Sequence, residues 1–180
     1  RDMKRRHFIK KASLTSVGIA VGTSVINASN NPDKNLKTTK RDALPLVIAT
    51  WDVPNATAKA WDILNAGGNS LDAVEQGCMI EEANEKGQSV GKGGLPDRDG
   101  NVTLDACIMN KDGDCGSVVY LQHITHAVSV ARKVMEKTPH VMLAGKGAEI
   151  FALEQGFKKE NLLTEVSKKA WEDWKITSKY

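Results

Sequence analysis

Between Ser89 and Gly100 the chain reads Ser-Val-Gly-Lys-Gly-Gly-Leu-Pro-Asp-Arg-Asp-Gly, and an apolar run over residues 102–109 follows at once. Four glycines and a proline in twelve residues open backbone conformations closed to other side chains and remove a hydrogen-bond donor. The stretch therefore cannot lie inside a regular helix or a central strand. It must be a tight connection that delivers the chain into a buried strand. The elements on either side have to be arranged around it.

Upstream, residues 44–51 (Leu-Pro-Leu-Val-Ile-Ala-Thr-Trp) form a short β-branched run of strand length, expected to be a buried strand. Asn55 is placed to cap a helix over 56–64, which Gly67-Gly68 would stop. Asn69 or Ser70 would start a second helix over 71–80, with Leu71, Val74 and Cys78 on one face. Gly77 inside that helix costs about 1 kcal/mol relative to alanine, which implies close approach of a neighbouring backbone.

Downstream, residues 102–109 and 116–121 flank Lys111-Asp112-Gly113-Asp114, the pattern of a β-hairpin. A helix over 128–135 follows, with an apolar stripe at Val128, Ala131 and Met135 and with Pro139 beyond its end. Residues 140–144 read as a short strand, 147–155 as a helix closed by Gly156, and 168–174 as a last amphipathic turn or two. The fold class is α+β, with four strands in one sheet and helices on one side. Such a sheet leaves its other face apolar and in need of a cover.

The first 28 residues read as an export signal rather than as fold. Lys4-Arg5-Arg6 with Phe8-Ile9-Lys10 precede a weakly hydrophobic, Gly/Ser/Thr-diluted segment and small residues around Ala28, a layout of the twin-arginine type. The expected destination is the periplasm. That segment carries a net charge of +5 out of the chain's +3, so the remainder is at −2. The basic character belongs to the leader, and nothing in the body suggests a nucleic-acid surface. Residues 29–43 are a polar lead-in, and 44–180 are the expected folded portion.

Cys78, Cys107 and Cys115 are too few for a disulfide framework; Cys78 and Cys107 sit in apolar patterns and are expected to be buried thiols. His123 and His126 have no carboxylate or cysteine at ligand spacing, so no metal site is expected. Asp97, Asp99 and Asp105 are expected to satisfy turn amides and a strand end. Thr125 lies within the chain, where no free amine can assist its hydroxyl, and is rejected as a nucleophile.

Five blocks in order carry a family resemblance: residues 46–51 ending in Thr50-Trp51, the element from Gly67 to Glu75, the block from Ser89 to Met109, residues 129–140, and Gln155-Gly156-Phe157. Together they resemble the N-terminal, α-subunit part of a glycosylasparaginase, in the N-terminal nucleophile hydrolase superfamily. The resemblance implies half of a four-layer αββα sandwich. It also implies a precursor that cuts itself between Asp and Thr, and hydrolysis of the amide joining asparagine to N-acetylglucosamine. The freed threonine would attack with its own α-amine as base, an activated weak nucleophile.

Two positions match active-site residues of the family's first chain. Trp51 matches a tryptophan lining the substrate pocket, and Ser89 matches a serine that orients the nucleophilic threonine. The resemblance implies no cofactor. Its implied partner is a C-terminal β-chain carrying that threonine, in a dimer of heterodimers acting on glycosyl-asparagine. No Asp-Thr pair occurs in the 180 residues, so this chain alone is expected to be inactive.

Lys92 stands where relatives usually carry an aromatic residue, and Val53-Pro54 replaces a more typical aromatic after the tryptophan. Both departures bear on substrate preference. Plant-type asparaginases and isoaspartyl peptidases, a second possibility, usually carry a His-Gly-Gly segment after the first strand, which is absent here. A third reading is a non-catalytic remnant that binds itself or another protein through the uncovered sheet face.

Overall fold

The computed structural model describes residues 45–178; the expected export signal, the lead-in and Leu44 lie outside the described residues. Helices α1 (Pro54–Asn65) and α2 (Ser70–Glu82) come first, followed by the glycine-rich connection and the hairpin strands β1 (Leu104–Met109) and β2 (Cys115–Leu121). Helix α3 (Ala127–Lys137), strand β3 (Met142–Ala144) and helices α4 (Gly145–Glu154) and α5 (Glu165–Thr177) complete the order.

Helix α1 starts at Pro54, two residues before the expected residue 56, with Val53 rather than Asn55 at the cap position, because Pro54 at the first helical position already holds the required φ and has no amide to leave orphaned. Its end follows expectation: Gly67 turns left-handed (φ 83°), and the Gly67 and Gly68 amides donate back to Leu64 and Ile63 carbonyls at 3.0 and 2.8 Å. Helix α2 is capped by Asn69, whose side-chain oxygen accepts from the Asp72 amide at 2.9 Å.

The buried face of α2 is not the Leu71/Val74/Cys78 stripe but Ala73 and Gly77; Val74 and Cys78 are exposed. Small residues win because α1 presents Ala56 and Ala60 to the same seam, and a Cβ on Gly77 would stand 2.9 Å from the Ala56 carbonyl oxygen. The close backbone approach implied by Gly77 is therefore present.

The sheet has three strands in the order β1-β2-β3, with β1 and β2 antiparallel and β2 and β3 parallel. The hairpin is as expected. Asn110 builds its turn by accepting from the Asp112 and Asp114 amides, both at 2.9 Å, and Gly113 supplies the left-handed φ of 82°. Register shifts between Leu104 and Ala106. At that irregularity the Asp105 carboxylate accepts the Tyr120 amide at 2.7 Å, so a polar group the irregular ladder leaves over is satisfied.

The fourth expected strand is absent: residues 45–49 have no regular structure, and Leu46 and Ile48 are 73% and 77% exposed. A strand needs an edge to satisfy its amides and carbonyls. Among the described residues no strand pairs with this segment.

Helix α3 covers one sheet face, burying Val128, Ala131 and Met135 as the stripe predicted, together with Val130 and Val134. It lies so close that a Cβ on Gly116 of β2 would collide with the Ala131 carbonyl and the Met135 backbone. Ile108, Val118, Leu121, Ile124, Ala148, Ala152 and Leu162 close this core. Along β1 and β2 burial alternates. The opposite face presents Cys107, Met109, Ser117, Val119 and, on β3, Met142, with Met109 66% and Met142 51% exposed. The architecture is thus α+β, with a small sheet and five helices. One sheet and one set of helices are seen here, not four layers.

Candidate active-site half

The glycine-rich connection is a closed loop. The Leu95 amide donates to the Gln88 carbonyl at 3.0 Å and the Gly94 amide to Gly91 at 3.3 Å, so Ser89 sits within a short backbone ring. Gly91 and Gly93 take φ of 59° and 95°, and a Cβ on Gly91 would collide with the Glu82 backbone. The ring is gripped from two sides: the Lys92 amide donates to the Glu82 carbonyl and the Gly93 amide to the Leu162 carbonyl, each at 2.8 Å. Ser89 is exposed, and among the described residues its hydroxyl has no hydrogen-bond partner.

Glu82 ties this loop to the core. Its carboxylate is buried, accepts the Val128 amide at 2.8 Å through Oε1 and lies 3.3 Å from His126 Nδ1 through Oε2. A carboxylate there serves as the cap that α3 lacks locally and meets the positive end of the helix dipole. His126 and Glu82 are far apart in sequence, which is why spacing alone gave His126 no partner.

His123 likewise finds a remote carboxylate. Its Nδ1 lies 2.9 Å from Glu149 Oε2, while Lys146 and Lys159 each reach Glu149 Oε1 at 2.6 Å. The hydrogen bond from Lys146, then those from Lys159 and His123, hold the Glu149 carboxyl well below its ordinary range, down to about 2. Thr125, already rejected as a nucleophile, is buried and donates to Glu160 Oε1 at 3.0 Å.

A third cluster joins α2 to α3. Arg132 Nη1 reaches Asp72 Oδ1 and Glu75 Oε2, both at 2.6 Å, and its Nε reaches Glu136 at 2.7 Å. Partial burial works against the guanidinium's charge, but the bonds to Glu136, Asp72 and Glu75 outweigh it and keep Arg132 charged. Asp72 is held below its ordinary value chiefly by Arg132. These clusters tie together the elements around the loop.

Trp51, the other expected site residue, is 65% exposed at the start of the described chain. No hydrogen bond joins it to Ser89, and a cleft of about 620 Å³, lined by residues 95–99, Ala170, Trp171 and Trp174, includes neither. Lys92 pairs with Glu85 at 2.6 Å, away from any pocket wall described here. Asp97 accepts the Asp99 and Asn101 amides, both at 2.9 Å, as expected of a turn, whereas Asp99 pairs with Arg98 instead.

The cysteines depart from expectation, Cys78 and Cys107 being exposed rather than buried. Cys107 occupies the uncovered sheet face. Cys78 has accessible surface, yet the protein around it, and then the Glu82 charge, push its thiol pKa up. Among the described residues no group of three or more His, Cys, Asp or Glu could hold a metal ion.

Residues 34–180 match the family model described as asparaginase. The chain is 51% identical over 178 residues to the N(4)-(β-N-acetylglucosaminyl)-L-asparaginase of Elizabethkingia miricola, covering 98% of this chain and 51% of that protein. It is 48% identical over 132 residues to the protein of that name from Rattus norvegicus, covering 73% of this chain and 38% of the relative. A putative protein of the same designation from Drosophila melanogaster is 40% identical over 172 residues. The chain thus spans about half the length, or less, of the curated relatives it matches.

Proposed function

The chain belongs to the asparaginase family, and from that premise we propose that it supplies the first half of an amidohydrolase cleaving the bond between asparagine and N-acetylglucosamine. The observation that carries this reading is the 51% identity, running through 98% of the chain, to a protein bearing that name. In this reading Ser89, exposed and unpartnered on its closed loop, orients the attacking threonine, and Trp51 packs on the substrate and excludes water. The threonine and its terminal amine lie in the part of the relatives that this chain does not span. The amine takes the hydroxyl proton as the oxygen attacks the side-chain amide carbonyl and passes it to the sugar amine as the C–N bond breaks; water then hydrolyses the acyl-enzyme ester, releasing aspartate and freeing the threonine.

The two exposed regions fit the same reading. Leu46 and Ile48, in a run with the composition of a strand, and the apolar face around Met109 and Met142 are surfaces that a second half, bringing its own sheet, would cover. Self-cleavage between Asp and Thr, a dimer of heterodimers, and export of the precursor through residues 1–28 complete the proposal. The uncovered face also favours a second reading, a non-catalytic remnant that binds a protein there.

Substitution in the two-part enzyme separates the readings. With an aspartyl-amide chromogen, Ser89→Ala is expected to lower kcat by about 10–100-fold, and Trp51→Ala chiefly to raise KM. Unchanged kinetics in both variants would remove these residues from the site.

A further inference from the structure

The two backbone polar groups of Gly93 are both committed to the segment that opens helix α5. Its amide donates to the Leu162 carbonyl at 2.8 Å, and its carbonyl accepts the hydroxyl of Ser167. Ser167 is only 1% exposed, which makes it the most deeply buried polar side chain of the described chain. Thr164 caps the same helix and fixes its first turn, with its Oγ1 accepting the Ser167 amide at 3.4 Å. A second strut lies one turn further along α5, where Trp171 Nε1 donates to the Arg98 carbonyl at 3.1 Å. Gly100 packs on the Trp171 ring, 3.0 Å from where its Cβ would be. On the other side of the loop, Lys92 and Gly91 rest on the Glu82 backbone.

Gly93 lies within the ring that presents Ser89, which its neighbours close: Gly94 donates to Gly91, and Leu95 donates to Gln88, the residue before Ser89. A displacement of the Gly93 carbonyl therefore passes through two hydrogen bonds to the Ser89 backbone. At φ of 95° Gly93 has no side chain to pin it, so an external donor must do so. Ser167 is that donor.

We propose that Ser167 is a positioning residue for the reaction. From helix α5 it locks the Gly93 carbonyl and thereby sets where the Ser89 hydroxyl stands relative to the incoming threonine. The proposal rests on the function proposed above, and it adds that the C-terminal helix of this chain acts on the site through the loop rather than as a mere end of the fold. Removing the hydroxyl leaves a buried carbonyl without its partner, and the loop relaxes to find another. Ground-state binding through Trp51 is untouched, so the loss falls on kcat.

The test is a double-mutant cycle in the complete two-part enzyme, assayed with an aspartyl-amide chromogen well below the melting temperature of every variant. Ser167→Ala is expected to lower kcat about tenfold with KM within about twofold of the parent. In a Ser89→Ala background the same change is expected to have little further effect, because its target is gone. Asn69→Ala, which removes the α2 cap remote from the loop, is the control for stability loss alone and should keep the parent kcat. If Ser167→Ala does not fold, Ser167→Cys fills the site with a slightly larger atom and a much weaker donor and carries the same cycle. A silent Ser89→Ala would overturn the role given to Ser89 in the proposed function, and this inference with it. An effective Ser89→Ala with a silent Ser167 variant, or with losses that simply multiply in the double variant, would overturn this inference alone.

Discussion

Glu149→Gln is the substitution whose consequences the structure fixes most fully. The carboxylate side chain is 4% exposed and collects Lys146, Lys159 and His123. Its pKa falls from an ordinary 4.5 to about 2; at about 1.4 kcal/mol per unit, that difference is worth at most about 3.5 kcal/mol of folding free energy. Both lysines reach in from solvent, with side chains 69% and 48% exposed, and screening brings the expected figure to about 1–2 kcal/mol. The sign follows from the direction of the shift. The folded pKa is depressed, so the stabilisation is fully present above the unfolded value near 4.5 and is lost as pH falls from there toward 2. Urea unfolding of parent and variant, followed by circular dichroism from pH 7 down to about 2.5, reads it directly. The variant should be less stable at pH 7, the gap should close through the acid range, and 1 M salt should narrow it at neutral pH. Parallel stability curves, with a gap unchanged between pH 7 and 2.5, would refute the assignment of this carboxylate as an ion-paired anchor.

Two further outcomes follow from packing. Gly116→Ala should destabilise the fold by about 1–3 kcal/mol in the same urea assay, since α3 must back away from β2 to admit the methyl group; a neutral result would mean that the helix is not seated as described. Maleimide labelling read by mass spectrometry should modify Cys107 readily in the isolated chain and slowly once the second half is present, because the exposed sheet face becomes covered. Equal rates in the two states would argue that the second half, if it binds, docks elsewhere.

Local chemistry made most of the fold legible. The Asn69 cap, the glycine stop after α1, the Asp-Gly hairpin turn and the buried stripe of α3 are each written within a few consecutive residues, and each is where the sequence predicts it. The misreadings have two causes. Residues 45–51 have the composition of a strand but no neighbour to pair with among the described residues, and Cys107 lies on a sheet face left exposed among them, whereas Val74 and Cys78 lose the seam with α1 to the smaller Ala73 and Gly77. Periodicity reports which residues are suited to burial, not whether the covering surface belongs to the same chain. The site was legible only by resemblance: Ser89 and Trp51 carry no local signal separating them from a loop serine and a core tryptophan. Glu82, Glu149 and Ser167 escaped because their partners lie dozens of residues away.

Hydrolysis of an aspartyl-amide chromogen by the purified chain, with and without the C-terminal half of a 51%-identical relative, addresses the half-site reading most directly. Background turnover by the chain alone, and threonine-dependent release of product on recombination, is the predicted result. Turnover by the chain alone at the rate of the recombined enzyme would contradict it, since the attacking hydroxyl and its amine would then have to come from within these 180 residues.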